Sequence, residues 1–173
     1  MDTDHYLHAF QKIAAELAAS ALSKTAVEIR VVTWEDCVVI KLLKKYWVNK
    51  MPENKPSGQG IFFSIWLSNK AIKENKILYN IHALKLRELN GYKITSREFA
   101  VAFRQKFKPF EHLWPNVSTA FGPLTLMEGW EKCNPQNTGD IIINLVNQFL
   151  KIDIIIDALL HERKKLIQKH ILQ

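Results

Sequence analysis

Two groups of residues in this chain have the types and spacing to do chemistry. The first is basic and aromatic. Val27, Ile29 and Val31, Val38, Ile40 and Leu42, Ile61, Phe63 and Ile65, and Leu84 and Leu86 read as core-facing positions of β-strands. Period-two alternation then sends their neighbours to the opposite face. That face would carry Arg30, Lys41, Lys45, Phe62, Trp66, Tyr79, Lys85 and Arg87. Rings interleaved with cations suit single-stranded nucleic acid, because bases stack on the rings at about 1–3 kcal/mol each while Lys and Arg hold phosphates. The competing reading covers these rings with a helix and lets the charged ends reach water around it. Covering is the favoured expectation, because the C-terminal helix is apolar on two sides and could supply the cover; no signature of a known RNA-binding module supports the other reading.

The second group is Asp153, Asp157 and His161, four apart and so stacked on one helix face. Carboxylates and an imidazole in that array could ligate a divalent ion. No second acidic cluster or HExxH pattern accompanies them, and the neighbouring Glu162 and Arg163 fit a solvated, charge-paired face. No metal and no cofactor is therefore assigned. A weaker pattern lies in the segment from His112 to Trp130. There His112, Trp114, Asn116 and Trp130 could line an apolar pocket with a few polar groups, or the rings could simply close one end of the core. Cys37 and Cys133 lie near no histidine in sequence, and no GxSxG, P-loop or GxGxxG pattern occurs. Catalytic residues are left unassigned.

These side chains need elements to position them. The spacing of Leu7, Phe10, Ile13, Ala14 and Leu17 predicts an amphipathic helix at the N-terminus. Alternating β-branched segments follow, with Ile61–Leu67 the plainest strand. Residues 49–60, holding Pro52, Pro56, Gly58 and Gly60, read as a loop. Asn90-Gly91 predicts a hairpin joining 86–89 to 92–94. Thr95-Ser96-Arg97-Glu98 has the form of a capping box, with Phe99, Phe103 and Phe107 on one helical face after it. From Thr138 onward the chain reads as one long helix, apolar on two sides, with a kink expected on grounds of length. Thr138 and Asp140 are its expected starters.

The expected fold is α+β. A mostly antiparallel sheet of four to five strands is joined by an N-terminal helix, a middle helix and a long buried C-terminal helix. One domain, 1–173, divides into a helix (1–25), a strand meander (26–94), a helix (95–108), a long loop (109–137) and the C-terminal helix (138–173). The net charge of +7 is modest for 173 residues and permits anionic partners without requiring them. Two widely spaced cysteines suit a reducing compartment, and the acidic first residues do not resemble a secretory leader, so a cytoplasmic location is expected. Lys151, Asp153 and Asp157 inside the apolar run argue against a membrane span.

The functional expectation is an intracellular binding or interaction domain, non-catalytic, and self-associating as a homodimer through surplus apolar surface on the C-terminal helix. A protein partner is allowed. The alternative is a single-stranded nucleic-acid-binding module on the basic aromatic face. Ranked below it is a small enzyme with a pocket near 112–130.

Overall fold

The computed structural model of the chain describes residues 3–49 and 59–171. Five strands, β1 (Val27–Trp34), β2 (Cys37–Lys44), β3 (Gly60–Ser68), β4 (Lys76–Leu84) and β5 (Thr125–Lys132), form one sheet in chain order. Every neighbouring pair is antiparallel. Helices α1 (Thr3–Ala19), α2 (Asn69–Lys73), α3 (Ser96–Phe107) and α4 (Thr138–Ile171) complete the α+β fold. Most of the 49–60 stretch expected as a loop lies outside the described residues.

Local signals account for much of this. In α1, Phe10, Ala14 and Leu17 are buried at three- and four-residue steps, as the apolar stripe requires. The β1–β2 turn is tight, with Trp34 paired to Cys37 and Glu35 in the left-handed region at φ 50°. Thr95 caps α3 in a full capping box: its hydroxyl accepts from the Glu98 N–H, and the Glu98 carboxylate accepts from the Thr95 N–H. Ser68 caps the short α2 with a single bond, accepting from the Ala71 N–H.

Four expectations are corrected. The segment 109–137 is not one long loop, since it holds a 3₁₀ turn at Lys108–Leu113 and the whole of β5. Thr125–Lys132 has no clean alternation because Gly129 interrupts it. That glycine lies where a Cβ would overlap the Tyr79 ring, so the inward side chain at that rung comes from β4. The Asn90-Gly91 hairpin is absent as well. The chain leaves β4 through Lys85, in the left-handed region at φ 51°, into a 3₁₀ turn at Leu86–Glu88, and β5 pairs along the far edge of β4.

The third correction concerns the pleat of β4. Ile77, Tyr79, Ile81 and Ala83 are fully buried in the main core. Leu78, Asn80, His82 and Leu84 therefore point to the other face. Both alternations of this strand are largely apolar, so sequence pattern could not choose between them. The ladder with β3 does choose, pairing Phe63 with Ile81 and Ile65 with Tyr79. Tyr79 thus belongs to the core, where its hydroxyl donates to the Pro115 carbonyl.

The fourth correction concerns α4. It lies with α1 and α3 on the inner side of the sheet, where Phe149 stacks on Phe63 with ring centroids 4.7 Å apart. Contrary to the expectation, α4 therefore does not cover the outer face. α4 is assigned as a single uninterrupted helix. Its start is organised by Asn134, whose side-chain oxygen accepts from the N–H groups of Gln136 and Asn137. The Thr138 hydroxyl donates to the Asn134 carbonyl instead of capping the helix itself.

Candidate binding site

Period two places Arg30, Lys41, Ser64, Asn80 and Glu128 on one rung of the outer face, each opposite the next across β1 to β5. A second rung runs Val32, Val39, Trp66, Leu78 and Trp130. Between the rungs and the rim lies a groove of about 390 Å³, walled chiefly by Trp34, Val39, Phe62, Trp66 and Leu84, with Lys41, Ser64, Asn80 and His82 among its polar lining. Apolar walls with few polar groups are the usual make-up of a small-molecule site.

Two groups in this groove are buried without full partnership. Lys41 is 7% exposed. Its ammonium lies 4.6 Å from the centre of the Phe62 ring, and no carboxylate pairs with it among the described residues. Burial, helped by the nearby Arg30 charge, lowers its pKa from the ordinary lysine value. Asn80 is 4% exposed. Its amide nitrogen reaches His82 Nε2 at 3.0 Å and Glu128 at 3.3 Å, while its carbonyl oxygen has no hydrogen-bond partner. A buried acceptor without a donor costs about 1–3 kcal/mol. Ser64 stands between the two, also buried.

The remaining ionisable groups are occupied or unactivated. With Nε2 of His82 accepting from Asn80, the ring proton sits on Nδ1, 3.3 Å from the Leu124 carbonyl. Burial holds this imidazole below its ordinary pKa, against the opposing pull of that carbonyl and of Glu128. Burial and the adjacent Asp36 push the Cys37 thiol up, and its Sγ lies 3.6 Å from the Asp36 carboxylate. The carboxylate that Cys37 meets raises its pKa and so does not activate it, and no imidazole is bonded to Cys37 or Ser64 among the described residues.

Compared with known protein families, characterised proteins and solved structures, the chain matches none. The site must therefore be read from its own geometry.

Only part of the predicted basic aromatic face is assembled. Arg30, Lys41, Phe62 and Trp66 share the outer face, and Trp34 stands 56% exposed at its rim. Lys45 begins the 3₁₀ turn after β2, beside Glu28 at 3.6 Å. Lys85 and Arg87 lie past the end of β4 in a separate depression shared with Arg97. The members expected of a pocket near 112–130 are dispersed. Trp114 is in the core against Phe63, Tyr79 and Phe107. His112 is exposed, and Asn116 donates to the Trp130 carbonyl. Trp130 itself lies on the outer face beneath Lys76. Sequence reasoning missed Ser64, Asn80 and His82. The last two were legible only as one of the two alternations in β4.

Asp153 and Asp157 turn inward and clasp Lys44, at 2.8 and 2.5 Å. Asp157 also accepts from Tyr46 Oη and Trp47 Nε1, each at 2.8 Å. Burial and the bond to Asp157 push the Tyr46 pKa up to about 12. These carboxylates are a structural clasp, and among the described residues no group of three His, Cys, Asp or Glu could hold a metal ion. No described helix is long and apolar enough to cross a membrane.

Proposed function

We propose that the protein is a non-catalytic binding module whose working surface is the groove on the outer face of its sheet, taking a compact ligand with a planar apolar body. The observation that carries this reading is a concave, mainly apolar face, left uncovered by the described helices, that nevertheless buries Lys41 and the unpartnered oxygen of Asn80. Monomeric domains seldom maintain such costs without a use for them.

The test is a titration with N-phenyl-1-naphthylamine, a neutral diaryl amine that fluoresces in apolar surroundings. One saturable site is expected. Ser64→Trp, which fills the groove, should abolish it, while Ile154→Ser on the exposed side of α4 should leave it unchanged. Saturable binding that survives Ser64→Trp would end the proposal.

Single-stranded nucleic acid is the second reading, favoured by the exposure of Trp34 at the rim beside the β1 edge. The charge balance supports it less. Arg30 and Lys45 share Glu28, and Lys76 pairs with Glu74, so among the described residues the face lacks the unpaired cationic stripe that a polyanion needs. Oligonucleotide binding at low salt that weakens steeply with added salt would reinstate it.

Self-association is a separate proposal. Among the described side chains of α4, the apolar flanks have neighbours within one chain and the exposed large apolar residue is Ile154, at 66%, with half-buried Ile143 and Leu150 on the same helix. Light scattering that gives a monomer mass at micromolar concentration would remove it.

A further inference from the structure

Beyond its shape, the groove has a chemical polarity. Along the shared rung, Lys41 presents an ammonium, Ser64 a hydroxyl and Asn80 a carbonyl oxygen. Neighbouring strands are about 4.8 Å apart, so the two ends of this row are roughly 10 Å from one another. The row thus runs from a pure donor, through a group that both donates and accepts, to a pure acceptor. Phe62, Val39 and Trp66 form the apolar bed beside it.

The other lysine of β2 shows what a buried ammonium in this protein ordinarily receives. Lys44, 6% exposed, has two carboxylates. Lys41 has a ring face. Of the acids on its side, Glu28 is committed to Arg30 and Lys45 and Glu128 to the Asn80 amide, while Glu35 lines the groove without an ion pair to Lys41. The Asn80 oxygen is likewise left over, because the amide nitrogen serves both His82 and Glu128. A ligand that supplied a negative group at one end of the row and an N–H or O–H at the other would complete both.

We infer that the groove selects a small, ring-bearing organic acid, a carboxylate, sulfonate or phosphate ester, with its anionic group on Lys41 Nζ and a donor group on Asn80 Oδ1. This rests on the reading of the groove as the binding surface and adds the charge and polarity of what it takes. A charge-assisted hydrogen bond in a site poor in water is stronger than a neutral one, and the aromatic bed supplies stacking area without demanding a polymer.

The experiment compares two dyes with the same ring system on the full chain. 8-Anilino-1-naphthalenesulfonate carries a sulfonate, whereas N-phenyl-1-naphthylamine does not, and the anilino N–H they share is peri to that sulfonate, so the pair isolates the charge at Lys41 from the donor at Asn80. The wild type is expected to bind the sulfonate about tenfold or more tightly than the neutral amine. Lys41→Met should erase that preference and leave the neutral dye's dissociation constant in place. Lys45→Met, which removes the same charge from the rim, should leave both constants as they are, separating a local effect from net charge. Asn80→Asp, nearly isosteric, puts a carboxylate on the same rung and should also lose the preference, so the test does not depend on one variant folding. Circular dichroism confirms the fold of each variant.

Equal binding of the two dyes by the wild type, or a sulfonate preference that survives Lys41→Met, overturns the inference about charge while leaving the groove as a binding surface. Saturable binding of neither dye overturns the groove reading and this inference with it.

Discussion

Lys41 and Lys44 lie three residues apart on one strand, equally buried, and face opposite sides of the sheet. Lys44 points to the inner side, where Asp153 and Asp157 from α4 meet it. Burial alone would lower its pKa, but the hydrogen bonds to both aspartates outweigh that and hold it above the ordinary value. Lys41 points to the outer side, meets a phenyl ring, and is shifted the other way. The same residue type at the same depth is thus finished on one face and left open on the other. An ion pair completed within the chain ties α4 to the sheet, whereas the Lys41 ammonium has no carboxylate among the described residues.

This contrast can be broken or sharpened by measurement. The largest effect is expected where the inner face is densest. Phe149→Ala removes a ring stacked on Phe63 and edge-on to Trp47, and should cost about 3–5 kcal/mol in chemical denaturation. A cost below about 1 kcal/mol would mean that α4 is not the anchor the inner face requires.

Next is the pair of lysines themselves. Lys44→Met strands the largely shielded Asp153 and leaves Asp157 only its Tyr46 and Trp47 donors, and should destabilise by about 3 kcal/mol. Lys41→Met replaces an unpaired buried ammonium with an apolar chain of similar length, and should be neutral or stabilising by about 1 kcal/mol. Equal losses from the two substitutions would erase the distinction between the faces.

The smallest effect, and the most diagnostic in sign, is the pH dependence. Lys44 has a folded pKa above its unfolded value of 10.5. Its contribution is therefore fully present below that pH and is lost as pH rises through the folded value. Lys41 has a folded pKa below 10.5. Its penalty is present at neutral pH and is relieved as pH climbs from the lowered value toward 10.5. Denaturation midpoints taken from pH 7 to 11 should thus fall less steeply in Lys44→Met than in the wild type. In Lys41→Met they should fall more steeply.

Local patterns made much of the fold legible. The capping box at Thr95, the strand at Ile61–Leu67 and the stripe of α1 are one-dimensional signals, each carried by neighbours within a few residues. The failures share a cause. β5 contains Gly129, whose missing side chain makes sense only beside Tyr79, and β4 is apolar on both alternations, so its pleat depends on the partner strand. Asp153 and Asp157 looked like a wet stripe because Lys44, more than a hundred residues earlier, is invisible from within the helix. Of the candidate site, the basic and aromatic members of β1, β2 and β3 were legible. Asn80, His82 and Ser64 were not, because the first two required the pleat of β4 and the third was too small to stand out.

What the chain's own residue order determined was its class and its segments: helix, antiparallel strands, helix and a long apolar helix, through periodicities of 3.6 and 2 that act over short range. Only the tertiary structure decided which side of the sheet α4 would occupy, and therefore which buried lysine found its carboxylates and which was left facing a groove. The physical reason is that a periodicity defines faces without saying what lies against them. Desolvation and ion pairing depend on that second surface, which comes from residues far away in the chain.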